Sequence, residues 1–286
     1  MNATTLRYPR IAAQLYAEPW QILPASFEEI CAAFEKVRSH PDSQAAEDPV
    51  GPYDDYAGTR EYLHPQILTF GHIALARVSG TTGRGLSRLA MECGGFDTGL
   101  FRQQLKNVAE DPTVKILVID FNSPGGMAAG NRAVADDIRA VADSGKRVIG
   151  YTGTICASAA YYMACACDEL HADPDAQVGS ISTICSGVDN SKEWEMKGRE
   201  LKLFATGKFK ATGMEGKAWT PEEEAMVWER IRAIDNDFKS YVTARRGLAP
   251  ESMEGQWWYA QHAPAGIVDS TDFDSLTTLL ETLFNL

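Results

Sequence analysis

Positive charge is scarce in this chain. Its 286 residues carry 27 lysines and arginines against 39 aspartates and glutamates, a formal net charge of -12. No lysine or arginine run stands out, so a nucleic-acid-binding surface is not expected. Long apolar runs are lacking too: none approaches the roughly 20 residues of a membrane span. The stretch from Met1 to Tyr16 carries Arg7 and Arg10 without the apolar centre of a secretory signal. A soluble protein with no membrane partner is expected. Cysteines number six and histidines five, with no C-x-x-C spacing. The cysteines lie among apolar or small residues, which points to reduced, buried thiols rather than disulfides or zinc ligands. No metal and no cofactor are expected, and no internal repeat is evident.

What is present begins with an amphipathic stretch. Phe27, Ile30, Phe34 and Val37 recur at three-to-four spacing, with Ser26 and Glu29 placed as a capping box. Residues 1 to about 65 therefore read as an N-terminal helical extension followed by a polar, acidic, proline-bearing linker. Residues 66–286 read as one larger domain. Within it, Ile67 to Val78 forms strand or hairpin, and Asp97 caps a helix running to Glu110. Ile116 to Phe121 is a near-continuous apolar run, as in a parallel strand buried on both faces. A helix over about Ala128 to Ser144 follows, then strands at Arg147–Tyr151, Asp168–Ala172, Gln177–Ile181 and Leu201–Phe204. Ser191 to Lys197 reads as a short helix. Thr220-Pro221 opens a helix to about Arg245 that turns Val227, Ile231, Ile234, Phe238 and Tyr241 inward, and a last helical piece starts at Asp274. Strands alternating with helices in this way imply an α/β protein of βαβ units with a mostly parallel sheet.

Two stretches carry chemistry. Thr154 to Ala164 holds one serine, Ser158, among small residues between an apolar strand and a helix-like run. Small neighbours admit a substrate backbone, and a helix starting at Ala159 points free N–H groups at whatever the hydroxyl attacks. Close helix packing would use the same small residues. Asn122-Ser123-Pro124-Gly125-Gly126 ends the buried strand, where α/β folds place ligands. An ordinary strand-to-helix turn would also use Pro-Gly-Gly.

Ser123-Pro124-Gly125-Gly126, then Ala157-Ser158-Ala159-Ala160-Tyr161-Tyr162-Met163-Ala164, then Val178-Gly179-Ser180-Ile181 and Gly266-Ile267-Val268-Asp269 stand in one order. With them the chain resembles, over about Ile67 to Asp269, the signal-peptide-peptidase family of Ser/Lys proteases in the ClpP/crotonase superfamily. The resemblance implies the ClpP/crotonase-like fold and Ser158 as nucleophile. It implies Lys210 as general base, 52 residues after Ser158, with Lys208 the near rival. Ser180 would hydrogen-bond that lysine, and the N–H groups of Gly126 and Ala159 would form the oxyanion hole. Gly125 and the small Ala157 would line the substrate site. A lysine serves as base only when neutral, which burial favours; Phe204 and Phe209 are the candidates for an apolar wall. Superfamily members assemble into rings or stacks, so a homo-oligomer is expected. Trp257-Trp258-Tyr259 is read as core in preference to interface.

The opening stretch Arg10 to Ile22 is similar to the N-terminus of head maturation (prohead) proteases of tailed bacteriophages. That resemblance implies capsid, portal or scaffold proteins as substrates and a location in the host cytoplasm or prohead interior. It also makes the Ser39–His64 linker a natural self-cleavage region. The alternatives are an acyl-CoA enzyme of crotonase type, which would place acidic residues near Ser158 or Gly126, and a non-catalytic assembly protein of the same fold.

Overall fold

The computed structural model describes residues 18–39, 67–86, 90–91 and 93–285. The expected self-cleavage linker lies almost wholly outside them. Sixteen residues, Pro24–Ser39, form helix α1, preceded by strand β1 (Trp20–Ile22). The helix starts at Pro24, so Ser26 lies inside the first turn and is not its cap. A proline suits that first position because its missing N–H has no intrahelical partner there.

A five-stranded sheet forms the centre. Its strands are β2 (Leu68–Phe70), β3 (Ile73–Ser79), β6 (Ile116–Asn122), β8 (Arg147–Thr152) and β10 (Glu169–Ala172), in the order β10-β8-β6-β3-β2. All neighbours are parallel except the β2–β3 hairpin. The apolar run of β6 is buried from Ile116 to Ile119 and again at Phe121, as a strand covered on both faces requires.

Each parallel strand continues, after a few residues, into a short strand of a second layer. β3 leads to β4 (Thr81–Gly83), β6 to β7 (Gly125–Met127), β8 to β9 (Ile155–Ala157) and β10 to β11 (Gln177–Gly179). β4 and β7 join β5 (Gly95–Asp97) and β1 in the order β1-β7-β4-β5, while β9 and β11 join β12 (Trp257–Tyr259) in the order β12-β11-β9. The two short sheets are tied by a parallel bridge between Ser123 and Cys156. Helices α2 (Thr98–Glu110), α3 (Asn131–Asp143) and α4 (Ala159–Ala164) close successive units. The same strand–short strand–helix unit thus recurs where the sequence shows no repeat, because backbone geometry recurs without identical side chains.

Several local expectations change. Gly125–Met127 is a strand, which shortens the following helix to Asn131–Asp143. Leu201–Phe204 forms no strand, and Phe204 is 94% exposed. Asp97 caps α2 as expected, accepting from the N–H groups of Gly99 and Leu100, and it also accepts from Leu86. Helix α5 (Ser191–Met196) is short and has no buried residue. Helix α6 (Pro221–Arg246) carries a capping box between Thr220 and Glu223 and ends at Gly247. It buries Ile231, Phe238 and Val242, but Val227 and Ile234 remain only partly covered. Its Phe238 packs on Tyr162 of α4, which stacks in turn on Tyr241. Helix α7 (Leu276–Phe284) covers the other sheet face with Leu279 and Leu283.

The aromatic triplet is an edge strand, not core. Trp257 and Tyr259 are exposed and only Trp258, on the alternate face, packs against the interior. Cys156, Cys165 and Cys167 are buried, whereas Cys93 is exposed and Cys31 and Cys185 are half-buried. Burial pushes the Cys165 thiol up to about 12.

Candidate active site

β9 ends at Ala157, and the chain turns sharply into α4 through Ser158, at φ 55° and ψ -117°. Among the described residues only Ser158 and Ser180 combine a side chain with positive φ. Such conformations cost about 1–3 kcal/mol and persist where the surroundings enforce them. Here the enforcement is visible. Ser158 N–H donates to Gly179 O at 2.8 Å, and Ser180 N–H to Gln256 O at 2.8 Å. β9 and β11 run parallel with Ala157 opposite Gly179, so the two serines follow in register.

Ser158 is 1% exposed, and its Oγ has no hydrogen-bond partner among the described residues. An unpaired buried hydroxyl is costly, and such groups in native folds call for an explanation. The small residues around it explain its depth: Ala157, Ala159 and Ala160 are fully buried. The six-residue α4 is buried on every side.

Gly125 comes against this turn. It has φ 105°, and a β-carbon there would stand 2.9 Å from Ser158 Cβ and collide with the Gln21 carbonyl. A β-carbon on Gly126 would collide with the Thr82 carbonyl. Both glycines are thus demanded by close backbone approach. Ser123, which the sequence offers as part of a turn, is a buried organiser. Its Oγ donates to Gly80 O at 2.6 Å and accepts from Gly125 N–H at 3.2 Å.

The lysines lie elsewhere on the surface. Lys210 is exposed, and no hydrogen bond joins it to Ser158 or Ser180 among the described residues. Lys208 is also exposed, 3.9 Å from Glu222 and over the Phe209 ring. Phe204 and Phe209, at 94% and 41% exposed, build no apolar wall within one chain. The expectation of a buried lysine is therefore not met among the described residues, where Leu201–Phe204 pairs with no strand and this segment stays on the surface.

What does anchor the segment was missed. Glu223 is 1% exposed, meets Lys217 Nζ at 2.5 Å and accepts from Thr212 Oγ1 at 3.0 Å. The Lys217 ammonium, with the Thr220 N–H and Thr212 hydroxyl, holds the Glu223 carboxyl down to about 2 against the opposing effect of burial. The capping-box position of Glu223 was the available signal, but its burial under the lysine-bearing loop was not legible. His171 is held by structural contacts: its ring nitrogens meet Ser270 Oγ at 3.0 Å and Glu169 Oε2 at 3.2 Å. No metal-binding cluster occurs among the described residues, and no described helix is long and apolar enough to cross a membrane.

Comparison with known proteins agrees with the motif order. The chain is 24% identical over 228 residues to the chloroplastic serine protease SPPA of Arabidopsis thaliana, a match covering 78% of this chain and 34% of that protein. It is 25% identical over 300 residues to the capsid assembly protease C of Escherichia phage lambda, covering 99% of this chain and 68% of that one. Among solved structures, an enoyl-CoA hydratase/isomerase from Marinobacter aquaeolei aligns with 77% of this chain and 74% of its own at 16% identity and a TM-score of 0.45. The model of peptidase family S49 matches residues 140–285, half of the chain and the half that contains Ser158, Ser180, Lys208 and Lys210. On that match, the chain belongs to peptidase family S49.

Proposed function

We propose that the protein is a serine endopeptidase in which Ser158 attacks the peptide carbonyl and Lys210 takes its proton. The observation that carries this reading is the Ser158 turn: a strained, buried serine with an unpartnered hydroxyl, abutting Gly125. A serine hydroxyl becomes a useful nucleophile only when a base removes its proton. The lysine amine, neutral at the moment of attack, receives that proton and later delivers it to the leaving amine. Ser180 orients the lysine without adding charge. The backbone N–H groups of Gly126 and Ala159 hold the oxyanion, at about 3–4 kcal/mol per donor. Gly125 and Ala157 line the substrate site.

The base needs a low-dielectric setting that the described residues of one chain do not supply. Association of copies over the exposed 201–210 segment would bury it, so the active form is a homo-oligomer. The substrates are capsid, portal or scaffold proteins of an assembling phage head. Support comes from the likeness to a capsid assembly protease along nearly the whole chain.

The test incubates the protein and its Ser158→Ala variant with candidate head proteins and reads the products by mass spectrometry. Discrete fragments from the unaltered chain and none from the variant are expected. Equal fragmentation by the variant would sink the nucleophile.

A further inference from the structure

β1 ends its sheet, yet both of its edges are bonded. On one edge it runs antiparallel to β7, pairing Trp20 with Met127, Gln21 with Gly126 and Ile22 with Gly125. On the other edge Trp20 exchanges two hydrogen bonds with Ile184, N–H to O at 2.8 and 2.9 Å. A three-residue extended segment is thus held by main-chain bonds from both sides, in a channel whose floor is the Ser158 turn.

The register is informative. Leu23 N–H donates to Pro124 O, and Ala128 N–H donates to Pro19 O, each at 3.0 Å. In an antiparallel ladder bonded pairs alternate, so Gln21 and Gly126, midway between, also exchange bonds. The Gln21 carbonyl therefore accepts from Gly126 N–H, the donor assigned above to the oxyanion. The same carbonyl collides with a β-carbon built on Gly125, whose other close neighbour is Ser158 Cβ at 2.9 Å.

The side chain of Gln21 is read as well. It is 2% exposed; its Oε1 accepts from Asn131 Nδ2 at 2.7 Å, and its Nε2 donates to Thr183 Oγ1 at 3.4 Å. Trp20 and Ile22 point the other way, into an apolar cluster with Phe27, Leu86 and Met127. With β1 in place, the Ser158 hydroxyl is buried and has no hydrogen-bond partner among the described residues.

We propose that β1 is an internal substrate-like strand: Pro19 to Leu23 fills the chain's own peptide channel, places the Gln21 carbonyl on the oxyanion donor, and keeps the peptidase closed until the strand leaves. A substrate enters in its place as an extended strand, and Asn131 and Thr183 select an amide side chain at the Gln21 position. Main-chain pairing supplies affinity and the alternate side-chain pocket supplies specificity. This rests on the Ser158 and Gly126 reading.

The test uses the full chain carrying Trp20→Gly and Ile22→Gly, which removes the two apolar anchors of β1. A fluorescein-labelled peptide, Glu-Pro-Trp-Gln-Ile-Leu-Pro, is followed by anisotropy, and casein cleavage is measured in parallel. The variant is expected to bind the peptide and cleave about tenfold faster than the unaltered chain, which binds none. Replacing the peptide's glutamine by leucine is expected to weaken binding about tenfold, the equivalent of 1.4 kcal/mol. A natively folded variant that neither binds nor cleaves faster overturns the proposal. Binding without cleavage upholds the strand and overturns the Ser158 reading instead. Should that variant fold poorly, Gln21→Ala leaves the apolar anchors intact. Faster hydrogen exchange at the Gly126 and Ile184 amides, with β6 amides unchanged, is then expected, and unchanged exchange at all of them overturns the proposal.

Discussion

Ser158 and Ser180 share a positive φ that no other described non-glycine residue has. Strain of this kind is maintained only where the fold over-determines it, and here it falls on the two serines that follow the paired ends of β9 and β11. On the proposed chemistry, Ser158→Ala abolishes peptide cleavage while circular dichroism stays native. Ser180→Ala loses only part of kcat, since it positions the base. The lysine register separates cleanly by experiment: Lys210→Ala is expected to be inactive and Lys208→Ala active in the same casein assay, and the reverse pattern moves the base by two residues. Backbone sterics yield a further expectation. Gly125→Ala must accept a positive φ and a collision with the Gln21 carbonyl. It should lower stability by about 1–2 kcal/mol, seen as an earlier urea midpoint with unchanged slope.

The elements are held by contacts of ordinary kinds, and their loss has ordinary costs. Asp97 serves α2 as cap and also receives the Leu86 N–H. Asp97→Ala should cost about 1–2 kcal/mol in chemical unfolding. The start of α6 is a pH-dependent anchor. The folded Glu223 carboxyl sits at about 2 against an ordinary value of 4.5, with Lys217 as the main cause. A carboxyl lowered by folding stabilises the native state fully above its unfolded value. That contribution drains away as pH falls through the folded value. The Glu223→Gln variant should therefore be less stable than the unaltered chain at neutral pH. The gap should close between about pH 4.5 and pH 2 as the carboxylate of the unaltered chain is protonated. Unfolding midpoints measured across that range check the sign.

At the scale of the molecule, the Ser158 turn is buried, whereas the segment carrying the proposed base Lys210 is exposed. Val188, Met196, Leu203, Phe204, Phe209 and Met214, from just before α5 to just before α6, are large apolar side chains left in solvent. A surface of this character is what an interface between copies covers. Phe204→Asp should shift sedimentation toward the monomer and lower cleavage with it, while leaving the β1–β7 pairing intact.

Sequence by itself determined the alternation of strands and helices, because burial on both faces of a parallel sheet writes apolar runs such as Ile116 to Phe121. It also marked Ser123-Pro124-Gly125-Gly126 and Ser158, since close backbone approach tolerates only small residues and leaves a local trace, while Ser180 was marked by the family resemblance alone. Only the tertiary structure decided that Gly125–Met127 is a strand rather than a turn, and that β1 fills its edge. Three residues pairing across a hundred positions of sequence have no local signal. The exposure of Lys210 was equally illegible: the spacing that singles it out is a distance along the chain, whereas burial depends on what packs over Leu201–Phe204, and among the described residues no strand pairs with that stretch. Glu223 shows the same division, for its capping role is written locally and its burial against Thr212 and Lys217 arises only when the loop before α6 folds back over it.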